Sequence, residues 1–238
     1  MATKLYFRNT VNSTTGLPTT EQATSLSSNK DAESQTINRT LSITAGSSEV
    51  ALTLASNTST SEQVYYFTRF VSEPLNVSSI SANTWTYAFA AEEPGLSANF
   101  PCTGTDKAVS VHCYVWRPST SAKVGTVLEG TTASTVDEGT ANEKKSHVAT
   151  FTGSSVASML QNDVLIFEVW FKTTQNLPDS FNDIFYYGGT IDPTENTIDQ
   201  ASVASYISTP QNLTFAPTSI DMTNVSTTGY TNKFIIKV

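Results

Sequence analysis

Val164–Thr173 reads VLIFEVWFKT. Leu165, Phe167, Val169 and Phe171 alternate onto one side of an extended chain, while Ile166 and Trp170 take the other. A strand that is apolar on both faces belongs in the middle of a sheet covered on both sides. Three more stretches share the period of two: Val64–Val71 (VYYFTRFV), Thr84–Ala91 (TWTYAFAA) and Val109–Trp116 (VSVHCYVW). In the second, Trp85, Tyr87 and Phe89 project to one side, and Thr84, Thr86, Ala88 and Ala90 to the other. Around these blocks lie mostly Ser, Thr, Asn and Ala, so the informative residues are those of a β-sheet core.

Weaker strands surround the four blocks. Lys4–Arg8, Thr36–Ile43, Glu49–Leu54, His147–Thr152, Asp183–Gly189, Ala204–Ser208 and Asn212–Ala216 carry shorter alternating or β-branched patterns. Lys123–Leu128 pairs with the Val109–Arg117 strand through a hairpin at Pro118–Ala122. Val156–Leu160 reads as one helical turn, and Thr131–Lys145 as an exposed loop. Val11–Glu33 is polar, with a turn at Gly16-Leu17-Pro18, and reads as a long loop or an arm laid on a neighbour. Nine or more short strands, with no amphipathic helix and no internal repeat, predict an all-β fold. The preferred version is an antiparallel β-sandwich of jelly-roll type with extended N- and C-terminal arms. An immunoglobulin-like sandwich is the alternative, without the Cys…Trp…Cys spacing of antibody domains. The expected organisation is one domain over residues 1–217, with an N-terminal arm over about 3–30 and a C-terminal arm or pairing strand over 218–238.

The chain has 238 residues, of which 38% are hydrophobic and only 14% charged, against a usual charged share of about 25%. Its net charge of −8 repels phosphate backbones and disfavours direct nucleic-acid binding. Lys144–Lys145 is the sole adjacent basic pair. The opening MATKLYFRNT lacks the apolar core of a signal peptide, which predicts synthesis in a cytoplasm. The longest apolar run, Val164–Phe171, is interrupted by Glu168 and is too short to span a bilayer, so no membrane association is expected. Cys113 shares the face of Val109, Val111 and Val115 and reads as a small core residue; Cys102 lies in the preceding loop. A bond between the two is geometrically feasible but disfavoured in a reducing compartment.

Reactive chemistry is sparse. His112 faces away from Cys113 on its strand, His147 starts another, and both read as hydrogen-bonded or exposed residues rather than bases. There is no G-x-S-x-G elbow, no zinc spacing, no phosphate-binding glycine loop and no dinucleotide fingerprint. The acids Glu92 and Glu93, Asp179 and Asp183, and the trio Asp192, Glu195 and Asp199 are the candidates for glycoside hydrolysis or Ca²⁺ binding. They lack EF-hand spacing, and neighbours on a strand point to opposite faces, so solvated loop acids are the favoured reading. No enzyme activity, cofactor or metal is expected. Trp85, Tyr87 and Phe89 read as half of a sandwich core rather than a sugar-stacking platform. Tyr65, Tyr66, Trp170, Tyr186 and Tyr187 supply outward rings for a partner surface, joined by the β-branched terminus at Phe234, Ile235 and Ile236.

The order of motifs resembles a group of tailed-phage virion proteins, many of them from environmental and cyanobacterial phages. The matching stretches are K-L-Y-F-R-N (Lys4–Asn9), Y-F-T-R-F-V-S-x-P-L (Tyr66–Leu75), N-T-W-T-Y-x-F-A (Asn83–Ala90), Y-V-W-R-P-S-T (Tyr114–Thr120) followed by K-V-G-T, F-E-V-W-F (Phe167–Phe171), and F-Y-Y-G-G-T with T-E-N (Phe185–Asn196). They cover most of Met1–Phe215 and are fold-forming; none is an active-site signature. The resemblance implies a structural component of a phage particle, such as a head decoration (cement) protein. It would be made in the host cytoplasm and assembled on the virion exterior. The implied partners are the major capsid protein and further copies of the chain, with a trimer suiting the role. The alternative is a fibre, tail or spike module that recognises host glycans.

Overall fold

The computed structural model describes residues 2–23, 26, 28, 30–55, 63–92, 107–135, 144–173, 182–194 and 202–216. Cys102, Glu93, Asp179, Glu195, Asp199, the arm at 218–238 and the terminal Phe234, Ile235 and Ile236 lie outside them.

Twelve strands form among the described residues: β1 (Thr3–Val11), β2 (Lys30–Asp31), β3 (Arg39–Ser42), β4 (Val50–Ala55), β5 (Val64–Ser72), β6 (Thr84–Glu92), β7 (Lys107–Arg117), β8 (Ala122–Thr135), β9 (Lys144–Thr152), β10 (Val164–Thr173), β11 (Asn182–Tyr187) and β12 (Tyr206–Thr209). Their hydrogen-bonded order is β4-β11-β6-β12-β1-β3-β5-β10-β7-β8, with β9 added to β6 and β2 to β5. Because β9 pairs with β6 from Thr84 to Glu92, β11 and β12 share the opposite edge of β6, at Ala90–Glu92 and Thr86–Ala88.

The fold is all-β and sandwich-like. The sheet turns over on itself so that strands far apart in the order face each other. Tyr87 of β6 meets Phe167 of β10 at 5.1 Å between ring centroids, and Phe7 of β1 lies 5.9 Å from Tyr87 and 5.2 Å from Phe167. Just beyond β9, the Ser154 amide donates to the Val127 carbonyl of β8 at 2.7 Å, tying the two ends of the folded sheet together. Between the layers lies one core of Leu5, Phe7, Phe70, Trp85, Tyr87, Phe89, Val111, Cys113, Phe167 and Phe171, among others. Trp85, Tyr87 and Phe89 are thus core residues, and β10 sits between β5 and β7 with both faces covered, as its apolar pattern requires.

Several expectations change. Pairing is antiparallel, as expected, except where β5 meets β2 and β3 in parallel, so the sheet is mixed but mostly antiparallel. Val156–Leu160 makes no helical turn: Val156 and Ile80 exchange both backbone bonds at 2.8 Å as an isolated bridge, because their apolar side chains are drawn into the core. The polar stretch expected as a loop from Thr131 to Lys145 carries the end of β8 and the start of β9, since ladder bonds to β7 and β6 outweigh weak local propensity. The hairpin at Pro118–Ala122 forms as expected, with Arg117 opposite Ala122.

The N-terminal arm is the largest revision. β1 lies inside the sheet between β12 and β3, with Leu5 and Phe7 fully buried. Residues 12–23 are laid over this chain's own sheet, across the outer face of β5, β10 and β7, before β2 joins the sheet beside β5. Two small apolar clusters mark that contact: Leu17 over Val71, Tyr114, Trp116, Val164 and Ile166, and Ala23 with Leu26 over Tyr66 and Trp170.

Candidate functional site

The outward rings proposed from sequence are mostly inside the molecule. Tyr65 and Tyr187 belong to the main core, Tyr66 and Trp170 are sealed beneath Ala23, and all four are 0% exposed. Strand alternation aims Trp170 correctly away from the sandwich core, but the covering loop hides that face. Only Tyr186 remains half-exposed.

Beneath the loop lies an ion pair that sequence reading passed over. β5 carries a bulge, with Val169 opposite Thr68 and Trp170 opposite Tyr66. The extra residue interrupts the alternation, so Phe67 and Phe70 both enter the core while Thr68 and Arg69 both face outward. Arg69 stands directly across from Glu168 of β10, which in turn stands across from His112 of β7. Arg69 donates from Nε at 3.1 Å and Nη2 at 2.9 Å to Glu168 Oε1, and neither side chain is exposed. The Tyr114 hydroxyl donates to the same oxygen at 2.9 Å. The remaining guanidinium protons go to the covering loop: Nη1 to the Pro18 carbonyl at 2.6 Å, the Gln35 carbonyl at 3.0 Å and Asn38 Oδ1 at 3.4 Å, and Nη2 to the Thr20 carbonyl. Glu168 Oε2 accepts from the Gln22 amide at 3.3 Å. Beside this group, Glu33 accepts from Arg39 and from the Thr68 hydroxyl.

Burial pushes the Glu168 carboxyl above its ordinary range, and Arg69 together with the Tyr114 and Gln22 hydrogen bonds only partly offsets this. Burial alone would lower the Arg69 pKa, but Tyr66, Tyr114 and Glu168 raise it. His112 is driven down to about 4, chiefly by burial, with Lys123 and Arg69 adding to the effect and Glu129 opposing it. Its Nδ1 accepts from the Gly130 amide at 3.3 Å, which requires the unprotonated nitrogen there. The imidazole is therefore neutral and structural at pH 7. Burial likewise raises the pKa of the Cys113 thiol, which is a free, inert core group.

A second grouping lies on the outside of the other layer. Tyr206 stands opposite Ala88 and Tyr186 opposite Ala90, so the two tyrosines sit two β6 residues apart, about 7 Å along the strand. Tyr6 meets Tyr206 edge-on at 6.0 Å. The Lys4 ammonium lies 3.9 Å from the Tyr206 ring centroid and is paired with Asp192. The Tyr186 hydroxyl donates to Glu92, and Lys144 lies 4.7 Å from the Tyr186 ring while bridging to Glu49 at 2.6 Å. Burial and Glu92 raise the Tyr186 pKa, so it remains a neutral hydrogen-bond donor. Tyr6 and Tyr186 are the half-exposed rings of this face. Tyr6 and Tyr206 were missed from sequence because a lone Tyr in a strand pattern carries no sign of its neighbour.

Among the described residues no cluster of three or more His, Cys, Asp or Glu side chains is arranged to hold a metal ion. No protein-family model and no curated protein matches the chain.

Proposed function

We propose that the chain is a non-enzymatic structural protein of a tailed-phage particle, a decoration or cement protein that binds the outer surface of the head. Its partners in this reading are the major capsid protein and further copies of itself. The observation that carries the reading is the position of the motifs that resemble phage virion proteins. K-L-Y-F-R-N falls in β1, Y-F-T-R-F-V-S in β5, T-W-T-Y-A-F-A in β6, Y-V-W-R and K-V-G-T in the β7–β8 hairpin, F-E-V-W-F in β10 and F-Y-Y in β11. The likeness therefore runs through the framework of the fold instead of clustering at one pocket. A rigid sandwich repeated over a symmetric shell would turn modest contacts into a large total stabilisation. Particles stripped of the protein should lose their DNA at lower temperature than intact ones, and adding the purified chain back should restore the difference. Equal heat resistance of stripped and intact particles would sink the proposal.

The tyrosine face supports a second reading, a module that binds host glycans. Half-exposed Tyr6 and Tyr186, with Asp192, Glu92 and Lys144 beside them, offer stacking surfaces and hydrogen-bonding groups of the kind sugars need. A glycan-array screen of the soluble protein separates the readings. Specific binding lost in both Tyr6→Ala and Tyr186→Ala favours the module, whereas binding only to assembled heads favours cement.

A further inference from the structure

We propose that residues 12–23 form a lid that lifts off the outer face of β5, β10 and β7 as a unit, with the Arg69–Glu168 pair as its latch. The lid belongs to the long loop between β1 and β3, and that loop's two ends meet. Val11 stands opposite Arg39 in the sheet, and the Asn12 amide donates to the Asn38 carbonyl at 2.7 Å. The same loop also carries β2, which pairs with β5, so its first part, residues 12–23, is the part that can lift without breaking strand pairing.

The way it is held points the same way. No described residue of 12–23 belongs to a strand. Its hold on the sheet comes from side chains reaching its backbone: Arg69 to the Pro18 and Thr20 carbonyls, Trp116 Nε1 to the Gly16 carbonyl at 2.8 Å, Lys123 Nζ to the Gln22 carbonyl at 3.2 Å, and the Glu168 carboxylate to the Gln22 amide. Asn12 adds one bond outward, to the Val71 carbonyl at 3.1 Å. The apolar contribution is small, chiefly Leu17 and Ala23. Three of these backbone groups converge on one buried ion pair, so a single pair of side chains holds most of the crossing. When the lid lifts, Tyr114 and Trp116 lose the cover of Leu17, and Tyr66 and Trp170 lose that of Ala23 while Leu26 stays beside them. The molecule thereby acquires an aromatic face that its closed form conceals. This device is independent of whether the protein decorates a capsid or binds sugars.

Native-state hydrogen exchange on the wild-type protein tests the lid. In sub-denaturing urea, the Glu21 and Gln22 amides should exchange at least tenfold faster than the Leu165–Val169 amides of β10, and with a shallower dependence on urea. If lid and β10 amides fall on a single curve, the lid does not open separately and the proposal fails. Glu168→Gln tests the latch. A broad-specificity protease should cut first within residues 12–23, at least tenfold faster than in the wild type, while the far-ultraviolet β-sheet signal persists. Cleavage at the wild-type rate, or scattered along the chain as in global unfolding, would overturn the latch. Should the variant not fold, the wild-type exchange experiment alone still decides the lid.

Discussion

Arg69 and Glu168 are fully buried, yet each is nearly saturated with hydrogen bonds, which makes it tolerable to keep two charges out of water. Removing one partner leaves the other charge stranded. Glu168→Ala should therefore cost about 3–5 kcal/mol in urea unfolding, whereas the double variant Arg69→Met/Glu168→Met should cost clearly less. Equal losses would mean that packing, and not the orphaned charge, sets the penalty. His112 gives the pH dependence. Its folded-state pKa of about 4 lies below the ordinary 6.5, so the unfolded chain takes up a proton first as the solution is acidified. Stability is full above pH 6.5 and is lost as pH falls toward 4; Glu168, shifted upward, works in the opposite sense over its own range. Between pH 7 and 5 the histidine accounts for about 2 kcal/mol. His112→Gln should flatten that part of the pH–stability curve, and an unchanged slope would exclude His112 as its source.

Among the elements, the β5 bulge and the β1–β3 loop depend on each other. Without the extra residue at Phe67, one of Thr68 and Arg69 would point into the aromatic core and the loop would lose its anchor. Gly16 fits the loop onto the β7–β8 hairpin. It adopts φ +73°, and a Cβ there would come within 2.3 Å of the Pro118 carbonyl oxygen. Gly16→Ala should destabilise the protein by about 1–3 kcal/mol. It should also raise protease sensitivity within residues 12–23 while leaving the β6–β9 amides protected. The bulge itself was not legible in VYYFTRFV, because alternation within the stretch is compatible with either face until the β10 register is known.

At the scale of the whole molecule, the folded sheet surrounds its core with strands distant in sequence: β1 and β12, the first and last described strands, pair from Thr3–Thr209 to Tyr6–Tyr206. Such non-local closure predicts cooperative unfolding. Tryptophan fluorescence, which includes the core residue Trp85 and the lid-covered Trp170, and far-ultraviolet circular dichroism should give one urea midpoint for global loss of structure. A separate early fluorescence phase is expected only in Glu168→Gln, where the lid is unlatched. Coincident transitions in both proteins would count against a separable lid.

The strand blocks, their inward faces and the all-β class were legible in the amino-acid order, because a period of two is a local property that the pleat of an extended chain imposes. Tyr65, Tyr66, Trp170 and Tyr187 show where that reading stopped. Alternation tells which side of a strand a ring leaves from, but not what lies above it. A polar loop from the other end of the chain covers Tyr66 and Trp170, and the fold of the sheet encloses Tyr65 and Tyr187. The ion pair was hidden for the same reason: Arg69 and Glu168 are 99 positions apart and meet only through the β5–β10 register. Local chemistry decided what each strand is. Long-range register, the bulge and the closure of the β1–β3 loop decided which of its residues face water.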